Sequence, residues 1–146
     1  MPETLLSVGI DVGTTTTQMV LSELTLENRA SAFAVPDMAI TSRRVRFSGP
    51  VHFTPLRDEA HMDGDAIRAL LEADYRAAGV RRADVDTGAV IVTGETARRE
   101  NAAQVAHALS ELAGDFVVAA AGPDLESALA ARGAGSVDYA ARTGEK

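Results

Sequence analysis

The apolar positions of this chain change their period partway along. "TLLSVGI" (4–10) and "TQMVLSEL" (17–24) are runs of β-formers, and the stretch between them is short enough for an antiparallel hairpin. A third β-rich run, "NRASAFAVP" (28–36), follows almost at once. From Met38 the chain stays β-branched and aromatic, with Pro36, Pro50 and Pro55 as punctuation. That suits edge or excursion strands better than a sheet centre, so residues 38–62 are set apart as a β-rich excursion.

The grammar changes at Asp63. "DGDAIRALLEADYRAAG" puts Ile67, Leu70, Leu71 and Tyr75 on one helical face, with Asp63 as N-cap and Gly79 as the closing residue. "GAVIVTG" (88–94) is a buried strand, and Ala102, Val105, Ala106, Leu109 and Leu112 form the apolar face of a second helix. "DFVVAAAG" (115–122) is another buried strand, and Pro123 sits where a third helix would begin. Antiparallel strands first and β–α alternation afterwards predict an α/β fold: a mixed sheet with helices packed on it.

Composition narrows the classes without choosing among them. The chain has 146 residues, 46% hydrophobic and 24% charged, as expected of one globular domain. A net charge of −7, no basic stripe, four phenylalanines and two tyrosines argue against nucleic acid as a partner. The longest apolar run falls short of the roughly 20 residues of a membrane span, and no basic segment precedes a signal core; a cytoplasmic location is expected. The absence of cysteine excludes disulfides, thiolate zinc sites and iron–sulfur clusters. No GxSxG elbow, HExxH or paired histidines support a hydrolase or metalloprotease.

Chemistry concentrates in "SVGIDVGTTTTQMV" (7–20), where one carboxylate, one glycine and four consecutive threonines separate two apolar runs. A turn at Gly13 can bring backbone N–H groups close to a ligand, and threonine hydroxyls add donors beside them, a combination suited to phosphate oxygens. Asp11 at the end of its strand could hold Mg²⁺ through water, since that ion takes only one or two protein carboxylates. Neither a Walker GxxxxGK nor a dinucleotide GxGxxG is present. The plainer alternative, a tight turn flanked by ordinary β-forming threonines, stays open at this point.

"GIDVGTTTTQMV" resembles the first phosphate loop of the actin, Hsp70 and sugar-kinase ATPase superfamily, whose nucleotide-binding halves have a ribonuclease-H-like core opening on this hairpin. "NRASAFAVP", "FTPL", "DVDTGAVIVTGETARREN", "GDFVVAAAGPDLES" and "GAG", taken in order, resemble the N-terminal part of the ethanolamine ammonia-lyase reactivating factors. The likeness runs from about Leu5 to Ser136. It implies an actin-like ATPase domain over residues 1–136 and a tail, 137–146, where a second half would begin. It also implies a chaperone-like factor that uses ATP and Mg²⁺ to exchange damaged cobalamin in the adenosylcobalamin-dependent lyase, its protein partner. On this chain the phosphate-binding role maps onto Gly13, Thr14, Thr15 and Thr16, with Asp11 near the metal. Glu95, after "AVIVTG", would face the phosphates or a substrate as the catalytic candidate; against this, Glu95 and Glu100 also fit plain helix-start chemistry. The implied setting is cytoplasmic, with association to a bacterial microcompartment open.

Such ATPases clamp the nucleotide between two halves, and a second Asp- and Gly-rich hairpin does not occur here. The chain is therefore expected to be one jaw of a clamp, without independent ATPase activity. The alternatives are a small-molecule kinase of the same superfamily, with Glu95 near a substrate hydroxyl, and a non-catalytic interaction module. Dehydratase activators share a similar loop but need cluster cysteines. "RRVRF" (43–47) reads first as an edge kept from aggregation by its charges, and second as a partner-facing strand. Arg98 and Arg99 read as solvated surface.

Overall fold

A computed structural model of the chain describes residues 2–30, 35–94, 100–112, 115–121, 127–128, 131–132 and 142. Strands β1 (Glu3–Val12) and β2 (Thr16–Asn28) form the expected hairpin, with Ile10 opposite Met19, Asp11 opposite Gln18 and Val12 opposite Thr17. Strand β3 (Met38–Ser48) runs antiparallel along β2, and the two-residue β4 (His52–Phe53) pairs with the start of β2. Helix α1 (Gly64–Ala78), strand β5 (Thr87–Thr93), helix α2 (Ala102–Ser110) and strand β6 (Asp115–Ala121) follow. Parallel neighbours need crossover connections, and the two helices supply them: β5 lies parallel to β1, and β6 parallel to β5. The sheet order is β3-β2-β1-β5-β6. This is the expected α/β mixed sheet, antiparallel at its N-terminal strands and parallel beyond them, with helices packed on it.

Alternation along the strands decides which face is buried. Val8, Ile10 and Val12 of β1, Met19 and Leu21 of β2, and Val90 and Val92 of β5 point to one side. There they meet Ile67, Leu71 and Tyr75 of α1 and Val105 and Leu109 of α2, all buried in one cluster. Each of the larger side chains contributes about 1.5–3 kcal/mol of burial to holding the helices on the sheet. The Asp63 carboxylate accepts the Ala66 N–H at 3.0 Å and so starts α1, and Gly79, in the left-handed conformation, ends it. Asn101, just before α2, exchanges two hydrogen bonds with the backbone of Met62 at 2.9 and 2.8 Å, which ties the chain ahead of α1 to the start of α2.

Among the described residues of the run 28–36 only Asn28 lies in a strand, as the end of β2, and β3 starts at Met38; residues 31–34 lie outside the described residues. Asn28 Oδ1 accepts N–H groups from both Ala30 and Asp37 at 3.0 Å, and the Arg29 N–H reaches Asp37 O at 2.8 Å. A side-chain oxygen thus captures the donors that a strand would have offered to a neighbour. The stretch from Met38, expected to hold edge or excursion strands, supplies the strand β3 at the sheet edge. Leu70 is half-buried, and Asp74 instead joins Ile67, Leu71 and Tyr75 on the buried face of α1. Most of the helix expected after Pro123 lies outside the described residues.

Candidate functional site

The turn between β1 and β2 stands at the carboxyl ends of the parallel strands β1 and β5, the end of such sheets where ligands bind. Gly13 N–H donates to Thr16 O at 2.8 Å and closes the turn, so its own amide is used by the hairpin. A methyl group there would lie 3.0 Å from Thr16 O, so the tight turn would have to give slightly to admit one. Asp11, Thr14, Thr15 and Thr16 are exposed, whereas Thr17 is fully buried. The four threonines in a row therefore divide, three facing solvent and the last turned under the sheet.

Beneath the turn lies a lacing that sequence reasoning did not find. Thr54 Oγ1 donates to Gly13 O at 2.8 Å, and Thr54 N–H donates to Thr15 O at 2.8 Å. Thr54 gives its single hydroxyl proton to Gly13, so the 3.0 Å contact with Thr17 Oγ1 is a bond donated by Thr17. Two carbonyls of the turn are thus held from below by one residue of "FTPL". The segment carrying Thr54 is itself fixed: His52 Nε2 lies 3.0 Å from both oxygens of the buried Asp74 on α1. Gln18 Nε2 adds a bond to Gly49 O at 2.9 Å. Thr54 carried no sequence signal beyond its place in "FTPL", just after the two-residue β4, and Asp74 looked like one more polar position on a helix.

The end of β5 completes the site. Thr93 Oγ1 donates to Asp11 Oδ1 at 3.3 Å, so a nearly buried hydroxyl orients the exposed carboxylate. Gly94 has φ +63°, and a Cβ on it would overlap Thr14 Oγ1; a side chain at 94 would be strained and would push the Thr14 hydroxyl aside. "AVIVTG" thus ends against the threonine turn. Glu95, Arg98 and Arg99 lie outside the described residues.

This donor set fits a hydrated cation bridged to an oxyanion. Among the described residues no three His, Cys, Asp or Glu side chains gather to hold a metal; at the turn, Asp11 supplies a carboxylate beside hydroxyls. One carboxylate with several waters and phosphate oxygens suits Mg²⁺ and does not suit Zn²⁺, which wants a nearly complete protein shell. Among the described residues no helix is long and apolar enough to cross a membrane.

Comparison with known proteins places the chain. It is 48% identical over 132 residues to the ethanolamine ammonia-lyase reactivase EutA of Salmonella typhimurium strain LT2, and 47% identical over 132 residues to that of Escherichia coli strain K12. Each alignment covers 90% of this chain and 28% of the relative, so the chain spans little more than a quarter of the length of these relatives. Looser structural likeness is found to a Ppx/GppA family member of Aquifex aeolicus (TM-score 0.43, 16% identity, 83% of this chain and 36% of that one). A type II variant of the Aquifex aeolicus Ppx/GppA phosphatase gives a TM-score of 0.45 at 13% identity, over 82% of this chain and 36% of that one. The model of the ethanolamine utilisation protein EutA family matches residues 3–146. With nearly every residue inside that match, this chain belongs to the ethanolamine utilisation protein EutA family.

Proposed function

We propose that this chain is the phosphate-binding part of an ATP-dependent reactivase, acting on ethanolamine ammonia-lyase to exchange damaged cobalamin for intact cofactor. The observation that carries the reading is the exposed Asp11 and Thr14–Thr16 turn, held from below by Thr54 and from the side by Thr93 and Gly94. The relatives' name, ethanolamine ammonia-lyase reactivase, supports the choice of partner.

Thr14, Thr15 and Thr16 present hydroxyls to the terminal phosphates. Asp11 would hold a hydrated Mg²⁺ through water, and Thr93 fixes which way the carboxylate points. When bound, the ion would supply charge neutralisation at the phosphate oxygens. Thr54 keeps two turn carbonyls occupied, so that their lone pairs do not face the incoming anion. Glu95 remains the catalytic candidate, facing the phosphates or a substrate. Closure of the site needs a second domain to exclude water.

The test is reactivation. Lyase inactivated with a damaged cobalamin should recover turnover when the full-length protein, ATP, Mg²⁺ and fresh cofactor are added, and Asp11→Ala should remove that recovery. Recovery without ATP, or undiminished recovery by Asp11→Ala, counts against the proposal. Phosphoryl transfer to a small acceptor would favour a kinase instead.

A further inference from the structure

Large apolar side chains that stand in solvent are not scattered over this molecule. Among the described residues they are Val35, Met38, Ile40, Val45, Val51, Phe53 and Leu56, all within one short stretch of sequence around β3 and β4. The strand register sorts them by face. Ile40 lies opposite Leu26, Val45 opposite Ser22 and Phe53 opposite Thr16. Those β2 positions alternate with Thr17, Met19 and Leu21, which face the helices, so Ile40, Val45 and Phe53 share the sheet face turned away from α1 and α2. Arg43, opposite Leu24, stands in the same row.

The charge on this row opposes that of the chain. Met38–Ser48 holds Arg43, Arg44 and Arg46 and no carboxylate, in a chain of net charge −7. Arg46 pairs with Glu23 at 2.6 Å, whereas among the described residues Arg43 has no carboxylate partner. Strand addition along the edge of β3 is disfavoured, because the ladder to β2 skips Arg46 and Thr41 at two bulges, which twist and blunt an edge. The face, not the edge, is the surface free to bind. Isolated exposed apolar residues need no explanation, but a row of them around an unpaired arginine, along a strand about 33 Å long, has the make-up of a recognition surface.

We infer that the outer face of β3 and β4, centred on Ile40, Arg43, Val45 and Phe53, is the surface on which the lyase docks, through an apolar segment carrying a carboxylate that meets Arg43. The assignment rests on the partner named under Proposed function. An acidic occupant follows from the arginines, and a flat apolar one from the face. A second copy of this acidic chain and a buried position within the full-length protein are the competing occupants.

These 146 residues hold no cysteine, so Val45→Cys, in a full-length protein with any cysteine elsewhere replaced by serine, gives a local probe. A maleimide should label it readily in the free protein and much more slowly once lyase is added. Arg43→Glu combined with Phe53→Ser should weaken lyase binding about tenfold or more, with a steeper loss as salt is lowered, and leave the thermal midpoint and nucleotide affinity unchanged. Failure to label the free protein, or labelling that slows with protein concentration alone, overturns the inference. So does lyase binding that the double variant leaves intact, in which case the reactivase reading stands. If the unaltered protein does not bind lyase at all, the partner itself is wrong and both proposals fall.

Discussion

Thr14, Thr15 and Thr16 share a residue type with Thr17, Thr54 and Thr93, and nothing else. The first three are exposed on a turn, and the second three are buried or nearly so and spend their hydroxyls on Thr54, Gly13 and Asp11 respectively. One set faces solvent and the other fixes the turn and Asp11 from within. The contrast teaches that hydroxyls of one residue type can divide between a presented surface and the satisfaction of the backbone and carboxylate beside it. Removing an outer threonine should therefore cost function with little stability, and removing an inner one should cost stability first.

The largest effect on folding is expected at Gly94→Ala. A left-handed φ and overlap with Thr14 Oγ1 together should cost roughly 1–3 kcal/mol, read as a fall in the denaturant midpoint. Thr54→Val keeps the shape but strands the Gly13 carbonyl, and about 1–2 kcal/mol of destabilisation is expected, with Thr54→Ser recovering most of it.

Tyr75, away from both threonine sets, calibrates the scale. Its hydroxyl donates to Leu112 O at 3.0 Å, and burial pushes its pKa from 10.0 up to about 12, the nearby Arg82 opposing this weakly. Because the folded state disfavours the phenolate, this contribution is fully present below pH 10 and is lost as pH rises from 10 towards 12. A urea midpoint followed across that window should decline, and Tyr75→Phe should flatten the decline while losing about 0.5–1.5 kcal/mol at neutral pH. The smallest change is expected at Thr15→Ala, under about 0.5 kcal/mol in stability, and a larger loss there would mean that the outer set is structural after all.

Legibility in the sequence followed the same division. The helical face of the sheet was readable because burial imposes a period: Ile67, Leu71 and Tyr75, or Val105 and Leu109, repeat as a helix must, and Asp63 and Gly79 mark the ends of α1. The hairpin was readable because two β runs flank a glycine. The lacing was not, since Thr54 meets Gly13 across forty residues of sequence and no local period encodes a hydrogen bond of that reach. Asp74 was hidden for the same reason, its partner His52 lying on a strand of two residues. At the described ends of the run 28–36, Asn28 captures the amides of Ala30 and Asp37 that a ladder would have used, and no sequence period encodes that capture.

The central claim is that the exposed turn with Asp11 holds a magnesium-bound triphosphate. Titration of the full-length protein with ATP, in Mg²⁺ and again in EDTA, tests it most directly when Asp11→Ala is measured beside the unaltered protein. The account predicts roughly ten- to a hundredfold weaker binding for the variant in Mg²⁺, and a much smaller difference between the two proteins once the metal is removed. Equal affinity of both proteins in Mg²⁺ would contradict it.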